Sequence, residues 1–396
     1  MIRAGVGHSI ASNPRVAAEE ATATAMAQAG LSEAGGALCF ATTAYGGAYP
    51  LILRTVASKA RTREVAGCSG AGVIASENEI ESGNGVAVIV FGGSSICTKR
   101  VFVPSLHARS KQVAAELAAT VRPALSGSNL LCVFPDTYNV EPESFLDALQ
   151  RELPDVTIVG GGASEDGSIG ETFQFCGDVV SNNSVAAMFL SGDFDLNIGS
   201  SLACMPIGTA HQVTAVRDNI ILELDGRRAY EVFADAAGAL ATDLRRALGF
   251  VFLAIPVDHD ANRIERGRFV VRNLVGASEE YGAIAAAHHP SVGDTVGFVL
   301  RDGERARQDL KLTLEEMRRR AANPPAFGLY FDCVSRGSGL YNIPGHDSAY
   351  IRQYFGDLPV SGFFTGFEIG PVAAVTSLLQ YSGVLALISE KKTLAS

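Results

Sequence analysis

Three stretches of this 396-residue chain combine residue types that bind or react with small molecules. The first is Asp332-Cys333, followed closely by Arg336-Gly337, with Glu368 further on. Arginine offers a planar fork that matches a carboxylate. Glu368 sits in Gly366-Phe367-Glu368-Ile369-Gly370, among apolar and glycine neighbours. If buried there it needs a partner, either Arg336 or a ligand amine. A Glu and an Arg facing one pocket suit a zwitterion such as an amino acid. The competing reading is an Asp332–Arg336 ion pair that only shapes a loop. The second stretch, Gly160-Gly161-Gly162, follows an apolar run. As a turn it exposes backbone N–H groups that can hold a carboxylate or phosphate oxygen. It is neither a P-loop nor a Rossmann fingerprint, and a tight turn needing positive φ explains it equally. The third, Cys68-Ser69, ends another apolar run. Its thiol and hydroxyl could contact a ligand, or the cysteine could act as a nucleophile beside a base. It lacks the G-x-S-x-G elbow, and a small packed residue is the competing reading. Phe363-Phe364 either fills a core or stacks on a ligand.

These stretches recur in a repeated frame. Leu38, Cys39, Tyr45, Leu53 and Gly67 each find the same residue type 93 positions later, at Leu131, Cys132, Tyr138, Leu146 and Gly160. The first copy reads as a short strand, a helix opened by Asn13-Pro14 and running to about Gly30, a buried strand at Ala37–Thr42, a helix from Tyr49-Pro50, and buried strands at Val65-Ala66 and Val86–Phe91. The second copy repeats that order, with a helix carrying Val113, Leu117, Val121 and Leu125, a strand at Leu130–Phe134, a helix from Pro142 and strands at Ile158-Val159 and Val185–Leu190. A looser third copy follows: Leu310, Leu314 and Met317 on a helix, a strand at Gly328–Phe331, a helix over Ala349–Phe355, and Leu358–Gly362 echoing Val65–Gly67. Ile220–Leu224 reads as a strand closing in the Asp225-Gly226 turn, and Arg268–Leu274 as another. Helices alternating with continuous apolar strands predict an α/β fold: internally duplicated α/β units with mixed sheets covered by helices, followed by a related C-terminal α/β domain. The expected domains are 1–235, holding repeats over about 1–95 and 96–195 plus a closing strand region, and 236–396. Strand-end corners of the copies should then enclose one shared ligand hollow. Tyr45 and Tyr138 could border it.

Composition narrows the partners. A net charge of −10 and a pI near 5.3 argue against nucleic-acid and anionic-membrane surfaces. No run approaches the ~18 apolar residues of a membrane span, and the start shows no secretory signal. Seven cysteines, an odd number without C-x-x-C, fit reduced cytoplasmic thiols better than disulfides or structural zinc. No metal site is expected. His288-His289 precedes Pro290 in a loop, and Asp258-His259-Asp260 reads as an acidic turn. Arg318-Arg319-Arg320 ends a helix, where cations favour the dipole.

Several of these segments resemble the FIST N and FIST C domains. The N-terminal likeness rests on 65–74 (Val-Ala-Gly-Cys-Ser-Gly-Ala-Gly-Val-Ile), 158–163, Pro206-Ile207-Gly208 and 223–229. The C-terminal one rests on Phe331-Asp332-Cys333-Val334-Ser335-Arg336-Gly337 and 358–371. The resemblance implies a sensory, small-ligand-binding protein of bacterial-type signal transduction, with an amino acid or similar metabolite as ligand. It implies ligand contacts at Cys68, Ser69, Gly160, Gly161, Gly162, Asp332, Cys333, Arg336, Gly337, Phe363, Phe364, Gly366 and Glu368. Such domains occur alone or fused to output modules. With no length left for one, this chain would signal in trans to a histidine kinase or another signalling protein, and a homo-oligomer fits too. Some members are haem proteins that sense nitric oxide, which makes haem a candidate cofactor and His211 the first ligand to test. A cysteine-dependent hydrolase or transferase would use Cys68 or Cys333, and a scaffold would bind no ligand at all. One departure stands near the end: where the family often carries a His-containing polar stretch, this chain reads Leu378-Leu379-Gln380-Tyr381-Ser382.

Overall fold

In the computed structural model, residues 1–258, 261–373 and 375–391 are described. His259 and Asp260, part of the expected acidic turn, lie outside them. The chain forms two compact units. One comprises Met1–Ser200, Lys311–Gly370 and Gly383–Ser396; the other comprises Ser201–Leu310 and Pro371–Ser382.

The first unit contains all three repeats. Its opening helix, Pro14–Ala29, starts where the sequence signals it: the Asn13 side chain accepts from the amides of Arg15 and Val16, and Pro14 occupies the first turn. Gly30 ends it in the left-handed conformation, with φ 61°. Helices Tyr49–Ala60 and Pro142–Glu152 begin at their prolines as expected. The Val113 helix runs over Ser110–Val121, so Leu125 falls beyond it.

Each repeat contributes four strands to its own sheet. In the first, Gly36–Thr42 runs parallel to Val65–Gly70 and antiparallel to Val86–Gly92, which pairs in turn with Arg3–Ser9. In the second, Ser128–Pro135 takes the same place between Thr157–Gly161 and Ser184–Gly192, with Ile96–Pro104 outermost. In the third, Pro325–Cys333 lies between Val360–Thr365 and Ser382–Glu390, with Phe194–Leu202 outermost. All three sheets therefore follow the order first, fourth, second, third. The segment between the third and fourth strands leaves its own repeat and pairs with another. Val73–Ala75 of the first repeat joins Val360–Thr365 of the third. Gln174–Cys176 of the second joins Val65–Gly70 of the first. Glu368 and Ile369 of the third pair with Gly161 and Gly160 of the second. This cyclic exchange covers the sheet edge that each repeat would otherwise leave bare.

Two expectations are corrected. Cys68-Ser69-Gly70 and Gly160-Gly161 are strand residues, buried and paired, not turns. Their glycines answer to a close backbone approach: a Cβ on Gly67 would fall 1.8 Å from the Cys39 carbonyl oxygen, on Gly160 2.1 Å from that of Val133, and on Gly362 1.6 Å from that of Tyr330. Taken from these glycines, the equivalent of Cys39 is Val133 rather than Cys132, so the 93-residue offset is off by one within the second strand. In the corrected frame Phe40, Phe134 and Phe331 are counterparts.

The second unit is built on an antiparallel sheet whose neighbours run Phe269–Arg272, Val251–Pro256, Thr295–Arg301, Cys204–Arg217, Ile220–Leu224, Ala283–Ala286 and Leu274–Ser278. The expected strand Arg268–Leu274 is split at Asn273 between two of these. Helices Ala229–Ala237 and Leu244–Phe250 supply Val232, Phe233 and Ala247 to its core. Among the described residues no helix is long and apolar enough to cross a membrane.

Candidate functional site

The strand-end corners of the three repeats do converge, and they bond to one another. Ser69 Oγ donates to the Ser164 carbonyl at 3.0 Å and accepts from the Phe173 amide. Ser164 Oγ donates to the Phe364 carbonyl and accepts from the Ala71 amide. The Gly162 amide donates to Phe367, and the Gly366 amide to Gly162. A Cβ on Gly161 or Gly162 would strike Phe367 and Thr365 or Thr137, and one on Gly366 would meet Thr137, so these glycines contact protein. Beside them the equivalent rings Phe40 and Phe134 meet edge to face at 5.5 Å, Phe134 lies 6.1 Å from Phe331, and Phe363 stacks on Phe40 at 4.9 Å. Phe363 is thus core, and aromatic side chains fill the middle of the convergence, so the corners close on packed rings and not on the shared ligand hollow expected from the sequence. Tyr45 is buried and donates to the Ala11 carbonyl, whereas Tyr138 is exposed and donates to Glu165.

Cys68 is fully buried, and burial, reinforced by Cys39, pushes its thiol pKa well up. A thiolate is the reactive species, so this cysteine is a poor nucleophile. None of the seven cysteines, all of them described residues, forms a disulfide, and Cys97 is exposed. Iodoacetamide on the native protein is expected to alkylate Cys97 and spare Cys68 until unfolding, as read by peptide mass mapping; equal rates at the two would contradict this burial.

Chemistry that the packing does not use up gathers at the end of the third repeat's strand Pro325–Cys333. The turn after it, closed by the Arg336 amide on the Cys333 carbonyl, folds Arg336 inward, where it is 1% exposed. Its guanidinium holds Asp332 at 2.8 Å and Asp347 at 2.6 Å and donates to the Tyr341 hydroxyl at 2.8 Å. Tyr330 Oη donates to Asp347 at 2.7 Å and lies 3.2 Å from Asp332 Oδ1. Asp347 and Ser348 arrive on the helix His346–Phe355. The first repeat's exchanged segment adds two carboxylates: Glu81 takes the Ser338 amide and hydroxyl, and Glu79 takes the Ser348 amide at 2.8 Å. Gly337 stands at φ 58°, the left-handed region that favours glycine, and leaves room for the Glu81 carboxylate beside it. Glu368, fully buried, receives the Thr365 hydroxyl at 2.6 Å, and Thr365 Oγ1 lies 3.1 Å from the Asp332 carbonyl oxygen. The ion pair of Arg336 is therefore with Asp332 and Asp347.

The electrostatics are unusual. Burial, then the neighbouring Asp347, hold the Asp332 carboxyl well above the usual range despite Arg336. Burial and Asp347 raise Glu79 to about 7. Burial alone would lower Arg336, but Asp347 and the surrounding phenols and carboxyl keep it charged. Asp332 Oδ2, Asp347 Oδ1, Glu79 Oε2 and Arg336 Nη1 are buried without a hydrogen-bond partner. Ser348 Oγ is a fifth such atom in the cluster. Buried polar atoms are nearly always paired, with protein or with ordered water, so this cluster is where a polar guest would be accommodated. Ser348 connects the cluster to a cavity of about 200 Å³ lined also by Ser76, Glu77, Ile351, Arg352 and Leu358.

Of the residues singled out in the sequence, Asp332, Arg336, Gly337 and Glu368 come together here, with Cys333 and Phe364 buried alongside. Cys68, Ser69, Gly160, Gly161, Gly162, Phe363 and Gly366 belong to the packed convergence. Sequence reasoning missed Glu79, Glu81, Tyr330, Tyr341, Asp347 and Ser164. The acidic run Glu77-Asn78-Glu79-Ile80-Glu81 was a visible signal, but nothing in it announced a partner more than 250 residues away. His211 lies in the second unit, its Nδ1 2.7 Å from Asp225. Among the described residues no group of three or more His, Cys, Asp or Glu side chains could hold a metal ion.

Comparison with known proteins gives the chain a family. The FIST N domain matches residues 37–227, and the FIST C domain matches 229–371. An uncharacterized protein of Mycobacterium tuberculosis is 29% identical over 388 residues, covering 98% of this chain and 99% of that one. An uncharacterized protein of Mycobacterium bovis is 29% identical over 322 residues, covering 81% and 82%. Among solved structures, a cyanuric acid hydrolase from A. caulinodans aligns over 99% of this chain and 100% of its own, with a TM-score of 0.36 and 8% identity. That likeness is too loose to carry chemistry across.

Proposed function

This chain belongs to the FIST domain family, whose domains are sensory domains of signal transduction, and from that premise we propose that it is a cytoplasmic sensor of a small zwitterionic metabolite of the amino-acid class. The ligand site is the buried corner of the third repeat. One observation carries the reading: an unpartnered guanidinium nitrogen of Arg336 shares a cluster with unpartnered oxygens of Asp332, Asp347 and Glu79. A ligand carboxylate matches the first, and a ligand ammonium matches the others. The cluster joins the first repeat's exchanged segment to the third repeat, so an occupant biases how those segments sit. A separate signalling protein, of the histidine-kinase kind, would read that population shift.

Thermal unfolding against a panel of the common amino acids tests this. A true ligand at about 100 times its Kd stabilises by about 2.7 kcal/mol. Arg336→Lys, which keeps the charge but loses the fork, and Glu368→Gln, which removes a buried charge beside Asp332, are each expected to abolish the shift. A panel without any shift, or a shift untouched in both variants, ends the reading.

A further inference from the structure

The same corner carries more negative charge than its single guanidinium can balance. Arg336 faces Asp332 and Asp347 directly. Glu79 faces Asp347, Glu81 and the Ser348 amide, and Asp332 feels both Glu79 and Glu368. Other polar neighbours include the phenols Tyr330 and Tyr341, the Ser348 hydroxyl beside Glu79, and His346, whose ring packs 4.1 Å from that of Tyr341. Asp332 and Asp347 are each 0% exposed, and each keeps one oxygen without a donor. Unpaired buried carboxylates are strongly disfavoured, so the ligand-free corner must hold a proton or a cation. Three orphan acceptors, one each on Asp332, Asp347 and Glu79, match in number the three N–H donors of a primary ammonium.

We propose that this corner is a primary-ammonium site whose ligand-free form is neutralised by a proton held between Glu79 and Asp332, and that an arriving amine displaces this proton to solvent. The proposal rests on the reading of the corner as the ligand site and adds the displacement of a proton by the ligand and the pH dependence that follows. The carboxyl O–H bond breaks and its proton passes to water; the ammonium keeps its own N–H bonds and takes the proton's place as counter-charge, so the net charge of the corner is conserved. Glu79 supplies the window. Its carboxyl is raised from 4.5 to about 7, chiefly by burial and then by Asp347. A raised folded-state value means that stability is present below the ordinary carboxyl range and is lost as pH rises through about 7. The ligand-free protein should therefore weaken on going from about pH 5.5 to about pH 8, and an ammonium should matter only at the higher pH.

The experiment is thermal unfolding of the full chain at both pH values with methylammonium chloride. Tetramethylammonium chloride, equal in charge but without N–H, is the control. Methylammonium is expected to restore the midpoint lost at about pH 8 and to do little at about pH 5.5, while tetramethylammonium does nothing at either. Glu79→Gln should flatten the pH dependence and shrink the rescue. A readout that needs no variant is proton release. Methylammonium added to wild-type protein in weakly buffered solution near pH 7 should release about half a proton per chain, because Glu79 is about half protonated there. A rescue matched by tetramethylammonium, a shift equal at both pH values, or no released proton overturns the proposal. An amino-acid shift that is independent of pH would end this proposal and leave the amino-acid reading standing. Ammonium rescue without any amino-acid shift would do the reverse.

Discussion

Arg336→Leu is expected to destabilise the first unit by about 3–5 kcal/mol, the cost of breaking a buried ion pair by removing one partner. The side chain is fully buried and sits between two carboxylates at 2.8 and 2.6 Å. Without it, Asp332 and Asp347 have no counter-charge, and the Tyr341 hydroxyl loses its donor. Leucine replaces the aliphatic stem but none of the donors. The damage should be repaired from the other side. Adding Asp332→Asn and Asp347→Asn to Arg336→Leu removes both stranded charges and should recover the larger part of the loss, because replacing all members of a buried ionic group is far less costly than removing one. The displacement of the denaturant midpoint measures both variants. A loss below about 1 kcal/mol for Arg336→Leu alone, in the range of an exposed pair, would mean that the guanidinium does not hold this corner together.

Gly67→Ala is the second large effect, at about 4 kcal/mol when overpacking and backbone strain, each about 1–3 kcal/mol, are combined. The new methyl group would lie 1.8 Å from the Cys39 carbonyl oxygen, and the backbone holds φ 153°, which side chains rarely adopt. The obstacle is main chain inside a buried parallel pair, so no rotamer change relieves it. Gly362→Ala should behave alike, its Cβ meeting the Tyr330 carbonyl oxygen at 1.6 Å. Gly47→Ala is the control: its surroundings are open to 4 Å, and a change within about 0.5 kcal/mol is expected. Circular dichroism melts of the three variants check the contrast. Similar midpoints for Gly67→Ala and Gly47→Ala would show that the strands can separate to admit a side chain.

The repeat itself was legible because it is written in strong local signals. Asn13-Pro14, Tyr49-Pro50 and Pro142 fix helix starts through caps and missing N–H groups, and these act within a few residues. Strand ends were less legible. Glycine is read first as a turn residue, whereas Gly67 and Gly160 serve a close approach inside a sheet, a demand set by a strand distant in sequence. For the same reason the paired strand slipped by one: Cys39 and Cys132 match as letters, but Phe40 and Phe134 match in space. The candidate site was half visible. Asp332, Arg336 and Glu368 stand out as charges among glycines and apolar residues. Asp347, Glu79 and Glu81 do not, since their roles depend on which strand of another repeat the first repeat's hairpin joins, and periodicity carries no information about that choice.

The rotary exchange of hairpins bears on how the polypeptide is born. Val73–Ala75 leaves the ribosome long before its partner strand, Val360–Thr365; Ile74 and Ser361, bonded across the pair, are 287 residues apart. Until then the nascent first repeat displays a hairpin with one unmet edge. The ring closes only when the last repeat emerges, so completion should be all-or-none and slow, as contacts between distant parts of a chain generally are. Truncation anywhere before that strand would leave an adhesive ribbon exposed, a hazard the cell must bridge with chaperones or with speed.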